Sequence, residues 1–325
     1  MSKLLTRRFI DQIKVMFGKE PAKPAEISPA AQKIHFYKKN NRDEIGELKH
    51  RRAHEKPSHK WRNRRWATLI FANLLFVFSY WLDIQVLEGA LTASRFVGFH
   101  MADLNGALQV MLAYKEVMIN LVIGTVTVLL AWWFVGGRAF CSWICPYHLL
   151  AEWAEALHLK LAAFGFAVDQ KFHRGLRAAL WFAYLILAFV TGYTVFEYVN
   201  PVGIVSRAII YGPTIALIWI VFLLGIEVFY SRRFWCRYVC PIGLTYGFAG
   251  AVSPVQIKYD LEKCLHEGEC RKVCMVPHVL ELTKMGYASD NVEYIGADCT
   301  RCGMCVDVCP QNALSFSVRG LDNLL

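Results

Sequence analysis

Cys299, Cys302, Cys305 and Cys309 are spaced C-x2-C-x2-C-x3-C, with Pro310 following. Thiolates at that spacing wrap a cubane iron–sulfur cluster, and the fourth commonly ligates a neighbouring one. A structural zinc site would more often show two separated cysteine pairs. Upstream, Cys264, Cys270 and Cys274 hold the first, third and fourth places of the same pattern, with Glu267 where the second cysteine would fall. A carboxylate is a harder and more labile iron ligand than a thiolate. This half therefore either holds a four-iron cluster with one non-thiolate ligand (Glu267, or the adjacent His266), holds three irons, or is empty. Crossover of the fourth cysteines assigns Cys299, Cys302, Cys305 and Cys274 to one cluster. Cys264, Cys270 and Cys309 go to the second, with Glu267 a candidate further ligand.

Four further cysteines lie in an internal repeat. Arg138 to Leu149 and Arg233 to Leu244 both read R-x-[FW]-C-x3-C-P-x2-L. On a continuing helix, Cys141 and Cys145 would share one face, as would Cys236 and Cys240, and each following proline can open a new helix. If the two halves pack symmetrically, four thiols converge. Such a set can bind an iron–sulfur cluster, zinc or Cu(I), or cycle between dithiol and disulfide. Free cysteine is also a common buried filler, but two matching copies argue against filler alone. These four are the candidate catalytic residues, together with Glu227, an ionisable group at the end of an apolar stretch. Asp83, Glu88 and Glu197 are further candidate proton acceptors. His148, Glu152 and Glu155 share one face of an amphipathic helix and are expected to face solvent.

The elements that must position these groups are mostly apolar. The chain has 325 residues, 55% hydrophobic and only 19% charged, below the roughly 25% of soluble proteins. Uncharged stretches at 66–82, 117–137, 178–196 and 208–226 approach the roughly 20 residues of a membrane-spanning helix. Residues 1–65 hold 18 Lys+Arg against 7 Asp+Glu, so the net charge of +10 belongs to one tail. That argues against nucleic-acid binding by a basic fold. It suits a cytoplasmic tail with affinity for anionic lipid. The expected fold is an α-helical integral membrane protein of four transmembrane helices, a duplicated two-helix unit. A C-terminal α+β bacterial-type double-cluster ferredoxin domain follows. The domains are 1–65, a basic cytoplasmic N-terminal segment, partly disordered, with residues 19–60 a largely extended linker; 66–250, the membrane domain; and 251–325, the ferredoxin domain. Segments 255–259 and 314–318 suit the ferredoxin strands. Lys and Arg in the loops place both termini in the cytoplasm of a bacterium, at the inner membrane. Eleven cysteines spaced as ligands fit a reducing compartment. No cleavable signal peptide is expected, and the apolar stretches hold no histidine for b-type haem.

Four apolar stretches, two C-x3-C-P motifs and a double-cluster C-terminus together resemble the NapH/MauN type of membrane ferredoxin, over about residues 62–319. Cys274-Met-Val-Pro277-His-Val-Leu280 is similar to that family's C-P-x-P-x-V-L. The resemblance implies quinol oxidation at a membrane, with electrons passed to partner ferredoxin-type or cytochrome proteins, and hence a bound quinone beside the clusters. Related C-x3-C-P membrane ferredoxins include NosR- and CcoG-like proteins, the latter resembling a copper reductase. A copper-reducing or metal-handling assembly factor and a non-catalytic anchor for a partner redox protein are the competing readings. The chain departs from the pattern at Glu267, at Met275 in place of proline, and in its long basic tail.

Overall fold

The computed structural model describes residues 2–24, 26–41, 46–47, 58–84, 87–96 and 98–319. Helices α1 (Ser2–Met16), α2 (Pro29–Asn40) and α3 (Lys60–Trp81) come first. A three-stranded antiparallel sheet follows: β1 (Leu87–Ala90), β2 (Ala93–Phe96) and β3 (Phe99–Ala102). Next come α4 (Leu104–Tyr114), α5 (Ile119–Val135), α6 (Ala139–Trp143) and α7 (Pro146–Ala163). The second half has α8 (Gly175–Thr191), α9 (Val195–Val199), α10 (Pro201–Tyr211), α11 (Leu217–Phe229), a π-helical turn over Trp235–Val239, and α12 (Ile242–Val252). The C-terminal part comprises β4 (Val255–Asp260), α13 (Glu269–Val273), a 3-10 turn over Pro277–Thr283, β5 (Val292–Tyr294), α14 (Met304–Asp307) and β6 (Leu314–Val318).

The expectation of four transmembrane helices is corrected. Among the described residues no helix is long and apolar enough to cross a membrane. The stretch at 66–82 lies in α3, whose first turns carry Lys60, Arg62, Arg64 and Arg65. Helices α5 and α8 have 17 residues each. At about 1.5 Å per residue they measure roughly 25 Å, against a hydrocarbon core of about 30 Å. The stretch at 208–226 is two helices, because Gly212 and Pro213 end α10 and leave α11 with 13 residues. Large apolar side chains are nevertheless exposed along α3, α5, α8 and α11, among them Phe71, Phe78, Ile119, Leu130, Ile186 and Val221.

The two C-x3-C-P copies take one shape. In each, a short helical turn carries the first cysteine and the second is extended, Cys145 at ψ 115° and Cys240 at ψ 113°. The residue before proline avoids the helical region, and α7 and α12 then begin at or just after the proline. The cysteines of a pair therefore sit on a broken helix rather than a continuing one. Phe140, Tyr147, Phe196, Val205, Trp235 and Tyr246 pack around them in the largest buried core.

In the C-terminal part β4 is central, between β5 and β6. Its antiparallel pairing with β6 runs from Val255 opposite Val318 to Tyr259 opposite Leu314. These are the two strands expected from the sequence; β5 was not foreseen. The segment expected to be extended contains α2, capped by Ser28 Oγ at the N–H of Ala31. Residues 25, 42–45 and 48–57 of that segment lie outside the described ones.

Candidate iron–sulfur and cysteine centres

Two pockets open between the sheet and the loops of the C-terminal part. The inner one encloses about 310 Å³ of atom-free space, and Cys274, Cys299, Cys302 and Cys305 line it. Ile257, Val276, Val279 and Leu280 supply its apolar wall, and all four cysteines are buried. The outer pocket encloses about 410 Å³, part of it solvent, and is lined by Cys264, Cys270, Cys309, His266 and Glu267 among others. Each fourth cysteine thus faces the pocket of the opposite motif, as crossover requires.

The imperfect half has the backbone of the intact one. In the intact loop Arg301 and Gly303 are left-handed, at φ 50° and 75°, two and four residues after Cys299. In the other loop His266 and Gly268 are left-handed, at φ 56° and 86°, at the same offsets from Cys264. Glu267 therefore occupies the backbone place of Cys302. The N–H of His266 points to Cys264 Sγ at 3.3 Å and that of Arg301 to Cys299 Sγ at 3.4 Å. Such N–H contacts to ligand sulfurs tune a cluster. Burial and the neighbouring thiols push the Cys274 and Cys305 thiols well up, and burial pushes Cys270 to about 11. Iron binding at these thiols must displace protons.

The four repeat cysteines share one core, with Cys145 and Cys240 inside it and Cys141 and Cys236 packed against it. Burial raises the Cys145 thiol, with Cys141 and Cys240 adding to it. Cys236 is raised by burial and then by Glu227, Cys240 and Cys145. Glu227 is fully buried and accepts the Trp235 N–H at 3.2 Å, with the Tyr147 hydroxyl lying against it. Among the described residues no three His, Cys, Asp or Glu side chains are gathered closely enough to hold a single metal ion. A cubane spreads its thiolates round four corners and needs no such gathering.

The repeat arginines join this centre to the pockets. Arg138, buried, hydrogen-bonds the Cys141 side chain and donates to the Asp298 carboxylate at 2.6 Å. Asp298 directly precedes Cys299 and also accepts from Arg177 at 2.8 Å and His278 at 2.8 Å. Burial opposes ionisation of Asp298, yet the Arg138 and Arg177 charges, with the His278 hydrogen bond, hold its carboxyl well below the usual range. Ser142 Oγ donates to the Thr300 carbonyl, and Trp143 Nε1 to that of Arg301. In the second copy Arg233 donates to Glu155 and to Met275 Sδ, beside Cys274. Arg65 of α3 bonds Glu152 and reaches Met304, between Cys302 and Cys305. His148 lies buried between Arg65 and Arg233, and burial with those two charges holds its pKa well below 6.5. The face of α7 expected to meet solvent is therefore internal. Sequence reasoning missed Arg65, Arg138, Arg233 and Asp298 as parts of the site. The repetition of arginine three residues before each first cysteine was the available signal.

This is the site of a ferredoxin-type iron–sulfur protein, with two cysteine-lined pockets and a third cysteine centre bolted to the inner one. A family model described as "4Fe-4S binding domain" matches residues 117–162 and 211–257, the two C-x3-C-P copies. A second with the same description matches 292–315. The methylamine utilization ferredoxin-type protein MauN of Methylorubrum extorquens is 31% identical over 81% of this chain and 91% of its own length. The ferredoxin-type protein NapH of Haemophilus influenzae is 34% identical over 61% of this chain and 68% of its own length. NapH of Escherichia coli is 28% identical over 80% of this chain and 91% of its own length. The chain belongs to the NapH/MauN family of ferredoxin-type proteins. It is an electron-transfer protein that binds 4Fe-4S clusters. No solved structure matches it.

Proposed function

We propose that this protein oxidises quinol at a bacterial inner membrane and passes the electrons, one at a time, to a partner redox protein. The observation that carries the reading is the buried Arg138–Asp298 pair. It fastens the four-cysteine centre, with Cys141 bonded to Arg138, to the loop that begins the Cys299 motif. A relay from an apolar, buried centre to a cluster pocket suits a donor that is itself apolar and gives up two electrons. The exposed apolar side chains of α3, α5, α8 and α11 support contact with lipid. The C-terminal part, which carries the cluster pockets, faces the cytoplasm in this reading. Cys264, Cys270, Cys309 and Glu267 hold the outer cluster, and Cys274, Cys299, Cys302 and Cys305 the inner one. A ferredoxin-type or cytochrome partner takes the electrons onward.

The test is anaerobic mixing of the purified, cluster-loaded protein with a short-chain quinol, followed by the bleaching of its visible iron–sulfur absorbance. Bleaching by quinol, reversed by an added oxidant, is expected. Protein that dithionite bleaches but no quinol does would overturn the reading.

A further inference from the structure

Helix α4 carries polar side chains that packing does not explain. Asn105 and Gln109, four apart on one face, are fully buried. Both polar atoms of the Asn105 amide, and Nε2 of Gln109, have no hydrogen-bond partner among the described residues. Buried amides are nearly always bonded, and each exception asks for a partner. Asp103 caps this helix with Oδ2, which accepts from the N–H groups of Asn105 and Gly106. The Tyr246 hydroxyl lies against the same carboxylate. Glu197 of α9 faces the spot from across: a Cβ on Gly106 would sit 3.5 Å from its Oε1. Gln109 Oε1 accepts from the N–H of Phe196, the residue before Glu197. A buried carboxylate, a half-buried one, the unbonded Asn105 amide and the unbonded Nε2 of Gln109 thus surround one place. Asp103, Arg207, Thr92 and Asn200 are the charged and polar groups that face Glu197.

We propose that Asp103, Asn105, Gln109 and Glu197 form the binding site for the quinol headgroup, with the amides bonding its ring oxygens and Glu197 taking its protons. The proposal rests on the quinol reading above. A hydroquinone loses two O–H bonds and gains two C=O bonds. Its two protons leave in turn through Glu197, which is only half-buried and so opens toward water. Its two electrons would be taken up, one each, by two oxidised iron–sulfur clusters held at the cysteine sites, which would supply the oxidant. A path leads away from Asp103 to Tyr246, whose ring packs 5.2 Å from that of Phe140, the residue before Cys141, and then through Arg138 to Asp298 and Cys299. Burial, with Asp103 adding to it, pushes Glu197 up to about 7, a fitting range for a group that accepts a proton near neutrality.

Two readouts test this. An azido-substituted short-chain benzoquinone is photolysed with the full protein, and the labelled peptide is found by mass spectrometry. Label in the peptide spanning α4, at least about tenfold weaker in Asn105→Leu and Gln109→Met, is expected from lost hydrogen bonds. The rate of cluster bleaching by quinol should also fall at least about tenfold in Glu197→Gln, with dithionite bleaching unchanged. Label elsewhere, or wild-type labelling and bleaching in all three variants, would overturn the site while leaving quinol oxidation standing. A wild-type protein that no quinol bleaches would overturn both.

Discussion

Glu267 shows how much one backbone position decides. His266 and Gly268 hold the same left-handed turns as Arg301 and Gly303, so the carboxylate stands where a thiolate stands in the intact loop. Glu267→Ala is expected to turn the outer cluster into a three-iron form, and Glu267→Cys to keep four irons. Iron analysis and electron paramagnetic resonance of the oxidised protein check this, and an alanine variant that keeps four irons would exclude Glu267 as a ligand. His148 makes a second prediction. Its folded pKa lies below 6.5, so the unfolded chain binds the extra proton. Its contribution to stability is complete above about pH 6.5 and falls by up to about 1.4 kcal/mol per pH unit below it. Denaturant titrations between pH 7.5 and 5.5 should show that slope, reduced in His148→Gln. The cysteines and Glu267 were legible in the sequence because cluster ligands are spaced locally. Asp298 was not, because its meaning lies in Arg138, 160 residues away.

Among the elements, the strands at 255–259 and 314–318 could be read from alternation and β-branching, since that signal is local. The apolar stretches misled for a related reason. Hydropathy reports what a segment avoids, and it cannot show where a backbone stops being helical. Gly212 and Pro213 broke one stretch, and Arg65 of α3 turns inward to Glu152, His148 and Met304. Helix α2 was invisible because its purpose is docking. Lys38 is buried on it and donates Nζ to the carbonyls of Leu261 and Cys264, while His35 bonds the Ala288 carbonyl. Burial lowers the Lys38 pKa, though Cys264, Asp260 and Glu262 oppose it. Lys38→Met leaves the buried carbonyl of Leu261 and the partly buried one of Cys264 without that donor, at a cost of about 1–3 kcal/mol. Iron should leave the outer cluster for a chelator roughly tenfold faster or more, while the inner cluster, whose lining residues Lys38 does not bond, keeps its rate.

At the scale of the whole molecule the helical part and the ferredoxin part are held by buried charge as much as by apolar packing. Arg138 and Arg177 both donate to one carboxylate that is itself almost wholly buried. Such a network is costly to assemble and more costly to halve, because each partner was desolvated on account of the others. Arg138→Met should destabilise the protein by about 3 kcal/mol, although methionine fills much of the space. Asp298→Asn alone leaves two buried guanidinium groups facing a neutral amide, and should cost a similar amount. The double variant removes a charge of each sign. Its loss should be clearly smaller than the sum of the single losses, with a coupling of about 1–3 kcal/mol read from a double-mutant cycle in denaturant. Simple additivity would mean that the pair contributes nothing specific to joining the two parts. If the coupling is found, the same cycle read on the rate of cluster bleaching by quinol tests the relay. A junction that only holds the fold together would leave that rate intact in the folded variants, whereas a junction on the electron path would slow it in both single variants.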